Sequence, residues 1–132
     1  MPYEYRVADA EGLIHVTAWG EADLVEVVAL LRQLEADPQI RPGMPALVDA
    51  RNQQFRLPPL QLRQLADLHA QSRGGRRPVA VVCAPGLNYG LGRMLAVFSE
   101  MRGAVLQAFT DHGEAVAWAR SQGRRDSHGQ EA

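Results

Sequence analysis

Apolar and polar side chains alternate at the start of the chain. Tyr3, Tyr5 and Val7 are separated by Glu4 and Arg6, the period-two pattern of a half-exposed strand. Asp9-Ala-Glu-Gly12 reads as a turn and Leu13 to Trp19 as a second strand, so the two together predict a hairpin. Beyond Gly20 the period changes. Leu24, Val27, Val28, Leu31 and Leu34 fall at helical spacing, with Glu26, Arg32, Gln33 and Glu35 on the other side; Pro38 and Pro42 stop this helix. Met44 to Val48 reads as a short buried strand ending in Asp49, and residues 50–57 as polar and irregular. Pro58 and Pro59 suit the first turn of a helix, where a missing N–H costs nothing. Its inner stripe is Leu62, Leu65, Ala66 and His69, and it ends near Gly74-Gly75.

The last third repeats a strand–helix rhythm. Pro78-Val-Ala-Val-Val-Cys-Ala84 is a strand, and Leu91, Met94, Leu95, Phe98 and Met101 stripe a helix closed at Gly103. Val105 to Phe109 is a final strand, and Asp111 with Glu114 forms a capping box for the last helix. From Gly123 onward nothing apolar occurs until the terminal alanine, so residues 123–132 are expected to be a disordered tail on a single domain, 1–122. The sum is ββαβαβαβα, an α/β fold. It predicts a mixed sheet of four or five strands, a hairpin followed by parallel strands, with right-handed crossovers and helices mainly on one face. Glu4 and Arg6, and His15 with Thr17, leave the hairpin a polar face that meets water or a partner chain.

Composition narrows the chemistry. The net charge of −1 gives no overall field for nucleic acid or an acidic membrane. All fourteen basic residues are arginine, which removes lysine Schiff-base chemistry and any P-loop lysine. The lone cysteine, Cys83, ends an apolar strand and has no internal disulfide partner, which fits a reducing cytoplasm. Met1-Pro-Tyr-Glu-Tyr-Arg has no apolar signal core, and no window approaches the length of a membrane span. A cytoplasmic protein without stable membrane insertion is expected.

In order and spacing, several segments together resemble the SpoIIAA-like group of the STAS superfamily (sulfate transporters and anti-sigma factor antagonists). They are Trp19-Gly-Glu-Ala-Asp23, Ala46-Leu-Val-Asp49, Pro78-Val-Ala-Val-Val82, Tyr89-Gly-Leu-Gly-Arg-Met94, and Phe109 with Glu114-Ala-Val-Ala-Trp118. The resemblance covers roughly residues 3–122 and implies a small α/β sandwich that acts by binding rather than by chemistry. The group is also similar in shape to CRAL-TRIO lipid-transfer domains, which implies that an apolar ligand is possible. One departure stands out. Anti-sigma antagonists carry a phosphorylatable serine after the third strand, whereas Asp49-Ala-Arg-Asn-Gln-Gln-Phe-Arg-Leu-Pro-Pro59 has no serine or threonine. The phosphoswitch lacks its acceptor.

Ligands of open α/β sheets sit outside the carboxyl ends of the strands. That edge nominates Asp49, Arg51, Tyr89, Arg93 and His112 as ligand- or partner-binding residues. Plain structural alternatives stand beside them: Asp49 as a loop cap or paired with Arg51, Asp111 next to His112 as a helix N-cap, and Arg93 in an ion pair. Gly86, Gly90 and Gly92 follow a strand, but their spacing is neither G-x-G-x-x-G nor a Walker loop; the glycines instead allow close helix–sheet packing. The scattered histidines offer no zinc spacing, and no metal or cofactor is expected. His69 belongs to a core edge. Arg73-Gly-Gly-Arg-Arg77 is a solvated basic loop without interleaved aromatics, so nucleic acid is not an expected partner. No serine sits on a tight strand-to-helix turn, and an enzyme is not expected. Two readings remain. One is a non-catalytic regulatory module that binds a protein partner or itself as a homodimer, at the hairpin's polar face or edge. The other is a carrier or sensor of a small apolar or anionic ligand bound at the strand carboxyl ends, in a pocket between the first helices and the strand ends; no co-purified ligand together with no cavity near ~300 Å³ would remove it.

Overall fold

The N-terminal alternation becomes a hairpin. In the computed structural model, which describes residues 2–21, 23–71 and 77–131 with side chains through Gly123, β1 (Tyr3–Ala8) pairs antiparallel with β2 (Leu13–Glu21), Tyr5 opposite Val16. Then follow α1 (Leu24–Ala36), β3 (Ala46–Gln54), α2 (Pro59–Gln71), β4 (Val79–Cys83), α3 (Leu87–Met101), β5 (Leu106–Phe109) and α4 (His112–Glu131). The five strands lie in sequence order, and β2 to β5 are parallel. Element order and mixed sheet are those predicted. The C-terminus of α2 expected at Gly74-Gly75 falls outside the described residues. The backbone of α4 runs on past Gly123 to Glu131, over residues expected to form a disordered tail; the side chains from residue 124 lie outside the described residues.

Strand alternation divides the core between two faces. Leu13, Leu47, Ala80 and Val82 point to α4, where they bury Ala115 and Ala119. Ile14, Val16 and Ala46 point to the opposite face, against Leu30 and Leu34 of α1. Leu62 and Ala66 of α2 pack with Leu95 of α3 on that same face. Three of the four helices therefore share one face. α4 alone covers the other, and it leaves Glu4, Arg6, Thr17 and Trp19 of the hairpin exposed.

Two boundaries differ from expectation for one reason. β2 continues through Gly20 to Glu21, and β3 continues through the polar stretch to Gln54. After a register shift between Thr17 and Trp19, residues Trp19 to Glu21 pair with Asn52 to Gln54. β4 reaches only to Ala50 of β3, so the outer half of β3 is a two-stranded extension that tolerates polar side chains on both faces. Gly20 keeps the strand going at φ +71, a backbone region that favours glycine. The caps follow the sequence more closely. Asp23 Oδ1 accepts the Val25 N–H at 2.8 Å, and Asp111 Oδ2 accepts the Glu114 N–H at 2.9 Å. Gly103 (φ +80) closes α3, with Ala104 N–H donating to Ser99 C=O.

Candidate functional site

At the carboxyl edge of β3, Asp49 and Arg51 point the same way, two residues apart on the α4 side of the sheet. The guanidinium donates to both carboxylate oxygens, Nε to Oδ1 at 2.9 Å and Nη2 to Oδ2 at 2.7 Å. These bonds hold the Asp49 carboxyl below the usual carboxylate range, with His112 adding a smaller electrostatic contribution. His112 opens α4 beside the capping Asp111. The three nominated residues Asp49, Arg51 and His112 thus form one neighbourhood, in which the acid and the arginine satisfy each other.

Tyr89 and Arg93 lie elsewhere. They face a groove along the outer edge of β5, between α3 and Trp118 of α4. The glycines beside them divide by role. A Cβ on Gly92 would lie 2.8 Å from Cys83 Sγ and 3.3 Å from Ala108 Cβ, whereas a Cβ on Gly90 would meet nothing within 4 Å. Gly92 permits the close approach of α3 to the sheet. Cys83 beneath it is fully buried, and burial pushes its thiol up to about 11, far from a reactive thiolate at neutral pH.

The carrier reading places a pocket between the first helices and the strand ends, and a third location lies against those helices. Between the sheet and the inner faces of α1, α2 and α3 lies a cavity of about 130 Å³ with an almost wholly apolar wall. Val16, Val48 and Val81 form its floor, and Leu34, Leu65 and Leu95 come from the three helices. None of Asp49, Arg51, Tyr89, Arg93 and His112 lines it. Its polar groups are few. Towards the carboxyl edge, Gln53, 2% exposed, donates from Nε2 to Tyr3 Oη at 3.0 Å. At the amino edge stand Glu35, His69 and Arg77. His69 Nε2 donates to Arg77 C=O at 3.3 Å, and burial holds the imidazole pKa below its ordinary value. On the α3 wall, Ser99 is fully buried, and among the described residues its Oγ has no hydrogen-bond partner.

Arg77 corrects one expectation. The basic cluster was expected to be a solvated loop, and residues 73–76 of it lie outside the described residues. Arg77 itself is only 9% exposed; its guanidinium donates to Met44 C=O and lies close enough to Glu35 for electrostatic support. It closes the amino end of the core instead of facing water. Among the described residues, no group of three or more His, Cys, Asp or Glu side chains converges, and no helix is long and apolar enough to cross a membrane.

With fold and sites in place, a comparison with solved structures gives one informative likeness. The chain superimposes on an uncharacterized protein from the DUF3478 family with a SpoIIAA-like fold, from Shewanella loihica PV-4, at a TM-score of 0.57 and 19% identity. The likeness covers 89% of this chain and 91% of that one. The fold is SpoIIAA-like. No family model matches the chain, and no curated protein matches its sequence.

Within this SpoIIAA-like frame, sequence reasoning missed Gln53, Asn88, Arg77 and Ser99. Asn88 ties α3 to the end of β3, accepting from Phe55 N–H at 3.1 Å and donating to Gln53 C=O at 3.3 Å. Ser99 does carry a signal. It stands four residues after Leu95 and one after Phe98, which puts a hydroxyl on the apolar side of an amphipathic helix.

Proposed function

We propose that this SpoIIAA-like chain is a non-catalytic binding module, a receptor for a small and mostly apolar ligand seated between the sheet and α1, α2 and α3. The observation that carries the reading is the cavity of about 130 Å³ with the unpartnered Ser99 hydroxyl in its wall. Leaving such a volume empty costs on the order of 3 kcal/mol at about 24 cal/mol per Å³, and a buried hydroxyl without a partner adds about 1–3 kcal/mol. A ligand with an apolar body and one oxygen relieves both. The volume sets the size: it falls short of the ~300 Å³ typical of drug-sized ligands and matches a site for a molecule of about benzene's size. A long lipid does not fit this volume.

The lack of a reacting constellation among the described residues supports the non-catalytic part. Asp49 and Arg51 saturate each other, Cys83 is buried and protonated, and Asp111 caps a helix. A regulatory role through a protein partner is favoured by a separate observation. Of the eight large apolar side chains that stay exposed among the described residues, five (Leu87, Met94, Val97, Met101 and Val105) lie on α3 or just before β5.

Native mass spectrometry of the chain purified from its own host tests the receptor reading. One small-molecule adduct per chain, lost on denaturation, is expected. A bare mass, together with no thermal stabilisation by a panel of small aromatic and aliphatic probes, refutes it. A ligand at about a hundred times its Kd should stabilise the fold by about 2.7 kcal/mol.

A further inference from the structure

We propose that the free edge of β5 and the outer face of α3 form a two-fold interface with a second copy of this chain. Among the described residues β5 ends the sheet, with β4 on one side and no strand on the other. In a parallel pair, successive residues turn their N–H and C=O alternately to either side. Val79 N–H donates to Val105 C=O, and Val79 pairs with Leu106. The backbone groups of Leu106 and Ala108 therefore point away from β4, two residues apart. An antiparallel copy with its two-fold axis at Gln107 sets Leu106 opposite Ala108 of the second copy, and vice versa, which satisfies these groups through four hydrogen bonds.

The same axis runs perpendicular to the sheet, so it lays α3 antiparallel against its own copy. Arg93 and Glu100 share the outer face of α3, both exposed, with no ion pair to either among the described residues. Antiparallel packing brings Arg93 of each copy toward Glu100 of the other, so the face is complementary to itself in charge. Between these charges lies Val97, 54% exposed, with Val105, 39% exposed, at the start of the strand. An apolar centre with a charged rim is the anatomy of a specific interface. The other edge of the sheet differs: β1 carries Glu4 and Arg6 along its exposed side, and Tyr5 Oη is tied to Asp37 at 2.7 Å. Charges along an edge strand protect it from pairing, and β5 has no such protection.

Sedimentation over about three decades of protein concentration tests the interface. A monomer–dimer equilibrium is expected, and Arg93→Glu and Glu100→Arg alone should each weaken it by about tenfold or more. The doubly reversed chain, R93E/E100R, should recover most of the loss, because the swap restores opposite charges across the axis. In the dimer, the Leu106 and Ala108 amides should exchange with solvent more slowly than in the monomer. A monomer at every concentration overturns the proposal. So does a dimer indifferent to both single reversals, or a double variant as weak as the singles. Both positions are exposed and each variant's fold is checked by circular dichroism, so a loss of association is separable from unfolding.

Discussion

Two glycines on α3, two residues apart, should respond to alanine with opposite signs. In an open helical position, alanine gains about 0.8–1 kcal/mol over glycine. Gly90 is such a position, since its added Cβ meets nothing within 4 Å, and Gly90→Ala should stabilise by about that amount. At Gly92 the same methyl arrives 2.8 Å from Cys83 Sγ and 3.3 Å from Ala108 Cβ, both on buried residues of the sheet. Overpacking of this kind costs about 1–3 kcal/mol. The propensity gain offsets part of it, which leaves Gly92→Ala about 0–2 kcal/mol less stable than the parent. Urea and thermal unfolding measure both; the variants differ by the overpacking cost alone, so at roughly 4 °C per kcal/mol for a domain of this size they should separate by about 4–12 °C in Tm. Adding Cys83→Ala to Gly92→Ala removes the struck atom. The double variant should therefore beat the sum of the singles by about 1 kcal/mol. Gly92→Ala as stabilising as Gly90→Ala, or a strictly additive double variant, would refute the close approach of α3 to the sheet.

Other consequences follow from the cavity wall. Ser99→Ala removes an unpartnered buried hydroxyl and improves helix propensity, so the unliganded chain should gain about 1 kcal/mol or more in urea unfolding; a loss of that size means that the hydroxyl is bonded. Stability should also fall on acidification below about pH 6.5. The folded pKa of His69 is depressed by burial, so the unfolded chain binds the proton first, and stability drops as pH moves from the unfolded pKa down to the folded one. His69→Gln should flatten that stretch of the stability–pH curve, and an unchanged slope counts against a buried neutral imidazole. Asp49 also has a depressed folded pKa. Its contribution is complete above the unfolded carboxylate value and is lost only as pH falls below about 4, outside the histidine window.

Much of this architecture is written in side-chain periodicity, because burying a face is what periodicity records. The hairpin, the three later strands and the helix stripes at Leu62–Ala66 and Leu91–Phe98 follow from it; in α1 the predicted stripe of Leu24, Val27, Val28, Leu31 and Leu34 includes the buried Leu34 but omits the equally buried Leu30. Caps at Asp111 and Gly103 were legible because each supplies a group that the backbone needs there. The outer half of β3 was not, since Arg51 to Gln54 gain their strand from pairing with Trp19 to Glu21 while their polarity mimics a loop. Arg77 was misread because charge next to glycines looks solvated, and only the tertiary position of Met44 C=O reveals its partner. Whether the pocket expected between the first helices and the strand ends is open or filled was illegible for a deeper reason. An apolar stripe shows which way Leu34, Leu65 and Leu95 point but not whether the side chains opposite reach far enough to meet them. Sequence reasoning therefore searched the strand ends for a site and found an Asp49–Arg51 pair already complete.

The receptor reading is tested most directly by titrating methyl-labelled protein with phenol and with toluene, two probes of nearly equal size that differ by one hydroxyl. Both should give saturable shifts confined to methyls that line the cavity, among them those of Leu34, Val48, Val81 and Leu95. Ser99→Ala should weaken phenol about fivefold, the worth of about 1 kcal/mol of hydrogen bonding, and leave toluene unchanged. Val48→Ile, which places one more methylene in the cavity at about 0.8 kcal/mol of added burial, should weaken both. No saturable shift at those four residues, or binding that survives Val48→Ile undiminished, contradicts the account.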